Sequence, residues 1–330
     1  INFLGDPNLA RASVIAANNG PATGTVSFFA GATLIGTDTL DNDGQASIST
    51  ALDLGNYSIT AVYSGDSNVA GSNSDGNLLY NVSQATTTTN LSITGTAVFG
   101  EPLTLTAAVS TDGGMPEGLV SFFDGANLLG SVVVEDGMAA LTTSTLGAGD
   151  HSSMVAVYSW TSHYAGSTSS NQYVSVKQAS TDVSVQSTGS STYGAPVTFT
   201  ATISSEGGIP TGTASFFDGA ILLGTSVLDG TGQATFTTSS LSVSLHSIAV
   251  VYTGDSNFTG ATSSTISQQV EEASTNVGYF IDGPVAYGDP LIVHAEIASL
   301  GGTPSGTVQL FEGETLLDTA TLDQYAIGRA

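Results

Sequence analysis

Four short phrases recur along the 330-residue chain: SFFAG at 27–31, SFFDG at 121–125, SFFDG at 215–219 and QLFEG at 309–313. Their closing glycines, Gly31, Gly125, Gly219 and Gly313, stand 94 residues apart at every step. A fixed period of this size marks tandem copies of one structural unit, and it restricts the chain to folds that close within that length. About three and a half such copies fit, each the size of a small domain. Other segments keep the same register: FGEPLTLTAAVS (99–110), YGAPVTFTATIS (193–204) and YGDPLIVHAEIA (287–298), with LGDPNLARASVI (4–15) as a looser version. The expected units are 1–85, lacking its first strand, 86–179, 180–273, and a truncated 274–330. Such ragged ends are expected of a window cut from a longer chain.

Within a unit the pattern has period two. Leu103, Leu105, Ala107 and Val109 fall on one face and Thr104 and Thr106 on the other, and Val197, Phe199, Ala201 and Ile203 repeat the arrangement. Alternation of this kind marks half-buried strands. Asp124-Gly125 and Asp218-Gly219 supply tight turns, because glycine tolerates positive φ. The second copy reads as seven strands, at 86–93, 103–111, 118–124, 127–135, 138–145, 151–159 and 170–178. No helical stripe is present. Short alternating strands with closely spaced turns predict an all-β fold of tandem antiparallel β-sandwiches.

Charge narrows the partners. Against 28 acidic residues stand only Arg11, Lys177 and Arg329, a formal net charge of −25. Phosphate binding needs clustered cations, so nucleic acid is not a partner, and anionic membrane surfaces are disfavoured. No run of residues is long and apolar enough for a membrane span. Cysteine is absent, which removes disulfides and thiol chemistry. The paucity of tryptic sites suits an extracellular or cell-surface setting.

The segment GTASFFDGAILLGTSVLDGTGQATFTTSSLSVSLHSIAVVYTGDSNFTGATSS (212–264) resembles the bacterial immunoglobulin-like repeat of large surface and secreted proteins. The SFFDG, GQATF and VYxGDSN phrases carry the resemblance, which extends over essentially the whole chain. It implies an extracellular, rod-forming module of the adhesin kind, with no catalytic residues. The second copy departs from the pattern, reading SWTSHYAG (159–166) where its siblings read SGDSNVAG (64–71) and TGDSNFTG (253–260).

The junctions VSQATTTT (82–89), VKQASTDV (176–183) and EEASTNVG (271–278) contain neither proline nor a Gly/Ser-rich spacer. A stiff, extended rod is therefore expected, gaining roughly 35–45 Å per unit. The function this design favours is a structural stalk or spacer. Its neighbouring repeats, and further copies or a surface protein, would be the partners. A subunit of a self-assembling filament, sheath or lattice is the alternative, and a carbohydrate-binding module a further one.

Candidate chemistry is sparse. His246 aligns with Tyr57, and His151 lies close to that position, where immunoglobulin-like sandwiches use a polar ring to tie down a connection. His294 aligns with Thr106 and Thr200 on an outward strand face. No nucleophile elbow or paired carboxylates stand out, so no enzyme and no required cofactor are expected. Calcium at the junctions is the sharper hypothesis, with Asp112, Asp182, Glu206, Asp255, Glu271 and Glu272 as candidate ligands. These do not repeat in register: Thr161 stands opposite Asp255 and Leu300 opposite Glu206. A solvated acidic surface is the competing and preferred reading. Trp160, His163 and Tyr164 form an aromatic cluster able to contact a partner, against the expectation that Trp160 packs back on its own sandwich. Acceptor sequons occur at Asn56, Asn81, Asn90 and Asn257.

Overall fold

A computed structural model of the chain describes residues 9–13, 22–74, 78–283, 286–323 and 327–329. Residues 4–8 and 14–15 of the LGDPNLARASVI segment of the first copy and residues 324–326 of the fourth lie outside the described residues. Two compact units divide the chain: residues 1–93, 105–141 and 152–172, and residues 94–104, 142–151 and 173–330. No helix occurs among the described residues.

In the second unit, the third copy shows how alternation becomes a sandwich. Asp182–Ser187, Val197–Ser204 and Gln233–Thr238 form one antiparallel sheet. Ile221–Val227, Thr213–Asp218, Leu245–Gly254 and Ile266–Glu271 form the other, in that order. Thr259–Thr262 also pairs with Leu245–Gly254, and Ser191–Thr192 adds a short parallel pairing with Ile266–Glu271. Every second residue of Val197–Ser204 is buried. Phe199, Ile203, Phe216, Ile248, Val250 and Tyr252 fill the space between the sheets, each at most 1% exposed. Each such side chain contributes roughly 1.5–3 kcal/mol by leaving water.

The fourth copy begins in the same way. Thr275–Ile281 pairs with Val293–Ser299, and Thr307–Glu312 with Thr315–Thr321. His294 lies on the outward face, as its alignment indicates, but is only 8% exposed. Phe280 stacks on its ring at 4.6 Å, and its Nε2 lies 2.9 Å from Asp282 Oδ2. Alignment could not supply that cover, because Phe280 and Asp282 belong to the neighbouring strand and its end.

In the first unit, Thr33–Thr39, Thr25–Ala30 and Gly55–Tyr63 pair in that order, with Leu78–Val82 also on Gly55–Tyr63. Leu9–Ser13 pairs with Gln45–Ser49. Val26, Phe28, Ala46, Ile48, Ala61 and Tyr63 form the core. The second copy contains the seven expected strands, observed at Thr87–Gly95, Leu103–Thr111, Leu119–Asp124, Asn127–Val133, Met138–Thr143, Gly149–Tyr158 and Gln172–Val176. A two-residue strand, Ser167–Thr168, is added.

The SFFDG phrase is a strand, a bulge and a hairpin turn. Register shifts between Phe122 and Phe123, and again between Phe216 and Phe217. Asp218 then pairs with Ile221, leaving a two-residue loop that begins at Gly219, whose φ is +56°. Glycine at the first loop position is the preference of a type II′ hairpin. A glycine five residues further on, Gly224, has a different role. A Cβ there would lie 2.3 Å from the Phe236 ring, which packs over it and stacks on Phe216 at 5.5 Å. Gly36 and Gly130 face Ile48 and Leu141 in the same way, at 2.9 and 3.0 Å.

Gly224→Ala should therefore destabilise the third copy by roughly 1–3 kcal/mol through overpacking. Amide hydrogen exchange at Val250 and Tyr252 reads that loss. Phe236→Leu in the Gly224→Ala background should recover part of it, because the second copy places Leu141 over its own glycine.

Candidate functional site: loop ends and repeat junctions

The VYxGDSN phrase, with VYSWTSH in its place in the second copy, builds one end of each of the first three sandwiches. Its tyrosine reaches across the fold to a backbone carbonyl: Tyr63 to Thr23, Tyr158 to Glu117, and Tyr252 to Thr211, the last at 2.7 Å. Burial pushes the Tyr252 phenol up to about 12. Its aspartate closes the loop onto the same distant segment. Asp66 Oδ2 accepts the Thr23 N–H at 2.7 Å and the Thr23 hydroxyl at 2.8 Å, while Oδ1 accepts the N–H groups of Asn68 and Val69. Asp255 does the same with Thr211, Asn257 and Phe258. In the second copy the position is Thr161. Its hydroxyl accepts the N–H groups of His163 and Tyr164, the turn half of the pattern.

The connection at 53–57 and its counterparts are tied as the alignment suggested. Tyr57 donates to Asp53 O at 2.8 Å, His151 Nε2 to Gly147 O at 2.9 Å, and His246 Nε2 to Ser242 O at 2.8 Å. His246 is only 6% exposed, and its Nδ1 lies 2.7 Å from Asp218 Oδ2. Both ring nitrogens face acceptors, an arrangement suited to imidazolium. Burial alone would lower its pKa, but the Ser242 carbonyl and then the Asp218 carboxylate outweigh that and raise it.

Within the second unit the linker between the second and third copies is bonded on both sides. Lys177 exchanges backbone bonds with Ala97 and Phe99 of the second copy. Two residues later, Ala179 donates to Asn257 O and accepts from Thr259 N, both at 2.9 Å, in the third. Gln178 Nε2 donates to Asp255 O at 2.7 Å, and Thr181 Oγ1 to Thr259 O at 2.8 Å. Phe99 meets Phe258 edge-on at 5.3 Å, and Ala148 N donates to Asn257 Oδ1 at 3.0 Å. A Cβ on Gly100 would lie 2.3 Å from Gly207 Cα, so glycine permits this approach. Within the first unit Gln84, Ala85 and Thr87 make the matching bonds to Thr161, His163 and Ala165. Sequence reasoning quoted these linkers without seeing this role. The readable signal was Gln-Ala recurring at 84–85 and 178–179, with threonine two residues on.

The calcium candidates scatter. Asp182, Glu206 and Asp255 stand at the end of the third copy that meets the second, where Asp182 pairs across from Ser204. Glu271 and Glu272 stand near its other end, beyond Ile266, and Asp112 follows the Leu103–Thr111 strand of the second copy. All but Asp255 are exposed, and Asp255 spends both carboxylate oxygens on N–H and O–H donors. Among the described residues no group of three or more His, Asp or Glu side chains is placed to hold a metal ion.

Of the aromatic trio, His163 and Tyr164 stay together edge to face, with ring centroids 6.5 Å apart. Tyr164 is partly buried, with its hydroxyl 3.5 Å from Gly113 O. His163 is exposed, 3.9 Å from Glu117 Oε1. Trp160 is 74% exposed, so the expectation that it packs back on its own sandwich is corrected. It occupies the place of Gly65 and Gly254, whose φ values are +81° and +88° and which lie tight against backbone. Trp160 does not share that positive φ, so the loop takes a different path at this point, and its side chain is turned to solvent.

Two pH responses follow. Burial alone would raise the Asp255 carboxyl, but the bonds from Thr211, Asn257 and Phe258 together lower it. Its stabilisation is present above the unfolded value of about 3.9 and is lost as pH falls through the folded value. Asp255→Ala should cost roughly 2–3 kcal/mol at neutral pH and flatten the acid limb of the third copy's stability, read by hydrogen exchange. His246 has the opposite sign. Its stabilisation is complete below about 6.5 and is lost as pH rises through the raised folded value. His246→Gln should remove that alkaline decline in thermal unfolding of the chain.

The model of the bacterial Ig-like domain (group 3) matches three times, over residues 2–83, 86–177 and 183–271. Among solved structures, a tetra-tandem repeat in the extending region of a large adhesion protein is 12% identical, with 94% of this chain and 83% of that chain covered and a TM-score of 0.39. Fibronectin(III)-like modules of Clostridium thermocellum CbhA are 24% identical over 52% of this chain and 87% of theirs, with a TM-score of 0.24. No curated protein matches. With the family model matched over most of its length, the chain belongs to the bacterial Ig-like domain (group 3) family, as three successive repeats.

Proposed function

We propose that the chain is a non-catalytic stalk of a bacterial surface or secreted protein, whose task is to hold other parts of that protein at a distance. The observation that carries this reading is the linker at 176–181. Its backbone is bonded to the second copy at Lys177 and to the third at Ala179, leaving no free spacer between them. A spacer that transmits position needs fixed joints, whereas a tether needs slack. The family also supports the reading, since its repeats are Ig-like modules and not a catalytic fold. The net charge of −25 favours solubility and opposes lateral packing of identical chains.

Small-angle scattering of the full chain tests this directly. The expected maximum dimension corresponds to roughly 35–45 Å per copy. Inserting a Gly-Ser spacer of about ten residues between Gln178 and Ala179 should broaden the distance distribution and lower the mean dimension. A compact native particle, or one unchanged by the insertion, would contradict the stalk.

A further inference from the structure

The second copy carries an apolar field on the outer face of one sheet. Residues alternate across a strand, so those flanking core Val120 and Phe122 point away from the core. Leu119 pairs with Val133, and Phe123 with Leu128 on one side and Val155 on the other. Between these rows Ser121 faces Ser131 and Val157. Leu119, Val133 and Leu128 are 45%, 57% and 59% exposed. Trp160 adjoins the field, because Ser159 N bonds Leu119 O.

The other copies do not build this face to the same extent. All four keep a Phe–Leu pair, but the first has Thr25, Thr39 and Thr60 at the places of Leu119, Val133 and Val155. The third has Thr213, Val227 and Ala249 there. The fold therefore tolerates threonine at these positions, and the apolar choice in the second copy is not demanded by the sandwich. Acidic residues stand at one end of the field, where Glu117, Glu135 and Asp136 are all exposed.

We infer that this face docks a protein segment with aliphatic side chains and lysine or arginine around them. Charge complementarity selects that partner: one end of the rim is acidic, and the chain has only three cationic side chains of its own against 28 acids, so a second copy would meet like charge. Aliphatic residues dominate the field, and its two serine hydroxyls bond each other at 2.8 Å, which leaves little to recognise sugar hydroxyls. Three rows roughly 7 Å apart on strands roughly 5 Å apart give a few hundred Å², well below the surface of a stable complex. The contact is weak and strengthened by charge.

Trp160, the chain's single tryptophan, reports on the face. The full chain is titrated with an alternating Lys-Val octapeptide while Trp160 emission is followed. A saturable shift with half-saturation on the order of 100 μM is expected, weakening as salt rises. Leu119→Thr, Val133→Thr and Val155→Thr together convert the face to that of the first copy and should weaken binding at least fivefold. Circular dichroism melting verifies the fold, and Leu119→Thr alone serves if the triple variant unfolds. An equal response to octalysine, or no loss in the variants, overturns the inference. So does a shift produced by cellohexaose and not by the peptide, or concentration-dependent self-association of the chain abolished by the same variants.

Discussion

A chain of sandwiches is governed at its joints by the demand that every backbone N–H and C=O near the core find a partner. At the second-to-third joint the linker meets it by alternating allegiance: Lys177 bonds backward to Ala97 and Phe99, and Ala179 bonds forward to Asn257 and Thr259. Only Gln178 separates the two sets. No slack is available to a segment bonded this way, and the Phe99–Phe258 contact and the Gly100–Gly207 approach follow from where those bonds place the flanking loops. The GDSN loop is therefore a joint element as well as a turn, because the carbonyls of Asp255 and Asn257 are acceptors for the linker while the Asp255 side chain holds the loop in shape.

The unusual charge balance explains how carboxylates are used. With three cationic side chains available, aspartates cannot depend on lysine or arginine for compensation. Those with structural roles instead accept backbone N–H and hydroxyl donors, as Asp66, Asp229 and Asp255 do, and these bonds lower each carboxyl. Asp218 and Asp282 turn to histidine. An aspartate already surrounded by N–H donors is a poor metal ligand, since its lone pairs are committed and its neighbours present hydrogen atoms where a cation needs oxygens.

Much of the fold was legible because period and alternation are local properties. The 94-residue step and the pattern Val197, Phe199, Ala201, Ile203 suffice to place strands and the core face, and the buried residues are those. Contacts between segments distant in sequence were not legible. Nothing local announces that Tyr252 bonds Thr211 O, or that Gln178 reaches Asp255 O. Gly224 was equally opaque, since its reason is the Phe236 ring above it. Trp160 runs against the tendency of aromatic residues to bury, because whether a loop side chain finds cover depends on the tertiary path of that loop.

The second copy separates what the loop must do from what it can give up. Thr161 retains the turn bonds to His163 and Tyr164, and Ala85 keeps its bonds to the loop. One hydroxyl oxygen in place of two carboxylate oxygens is enough for the turn, and the tyrosine bond, from Tyr158 to Glu117, persists without the aspartate. The joint thus depends on the backbone path of the loop more than on its acid. That leaves the tip free to vary, and the tip is where the second copy replaces a glycine with Trp160 beside an apolar sheet face. Variation has accumulated at positions the joint does not constrain, which is where a repeat can acquire a surface of its own without weakening the string.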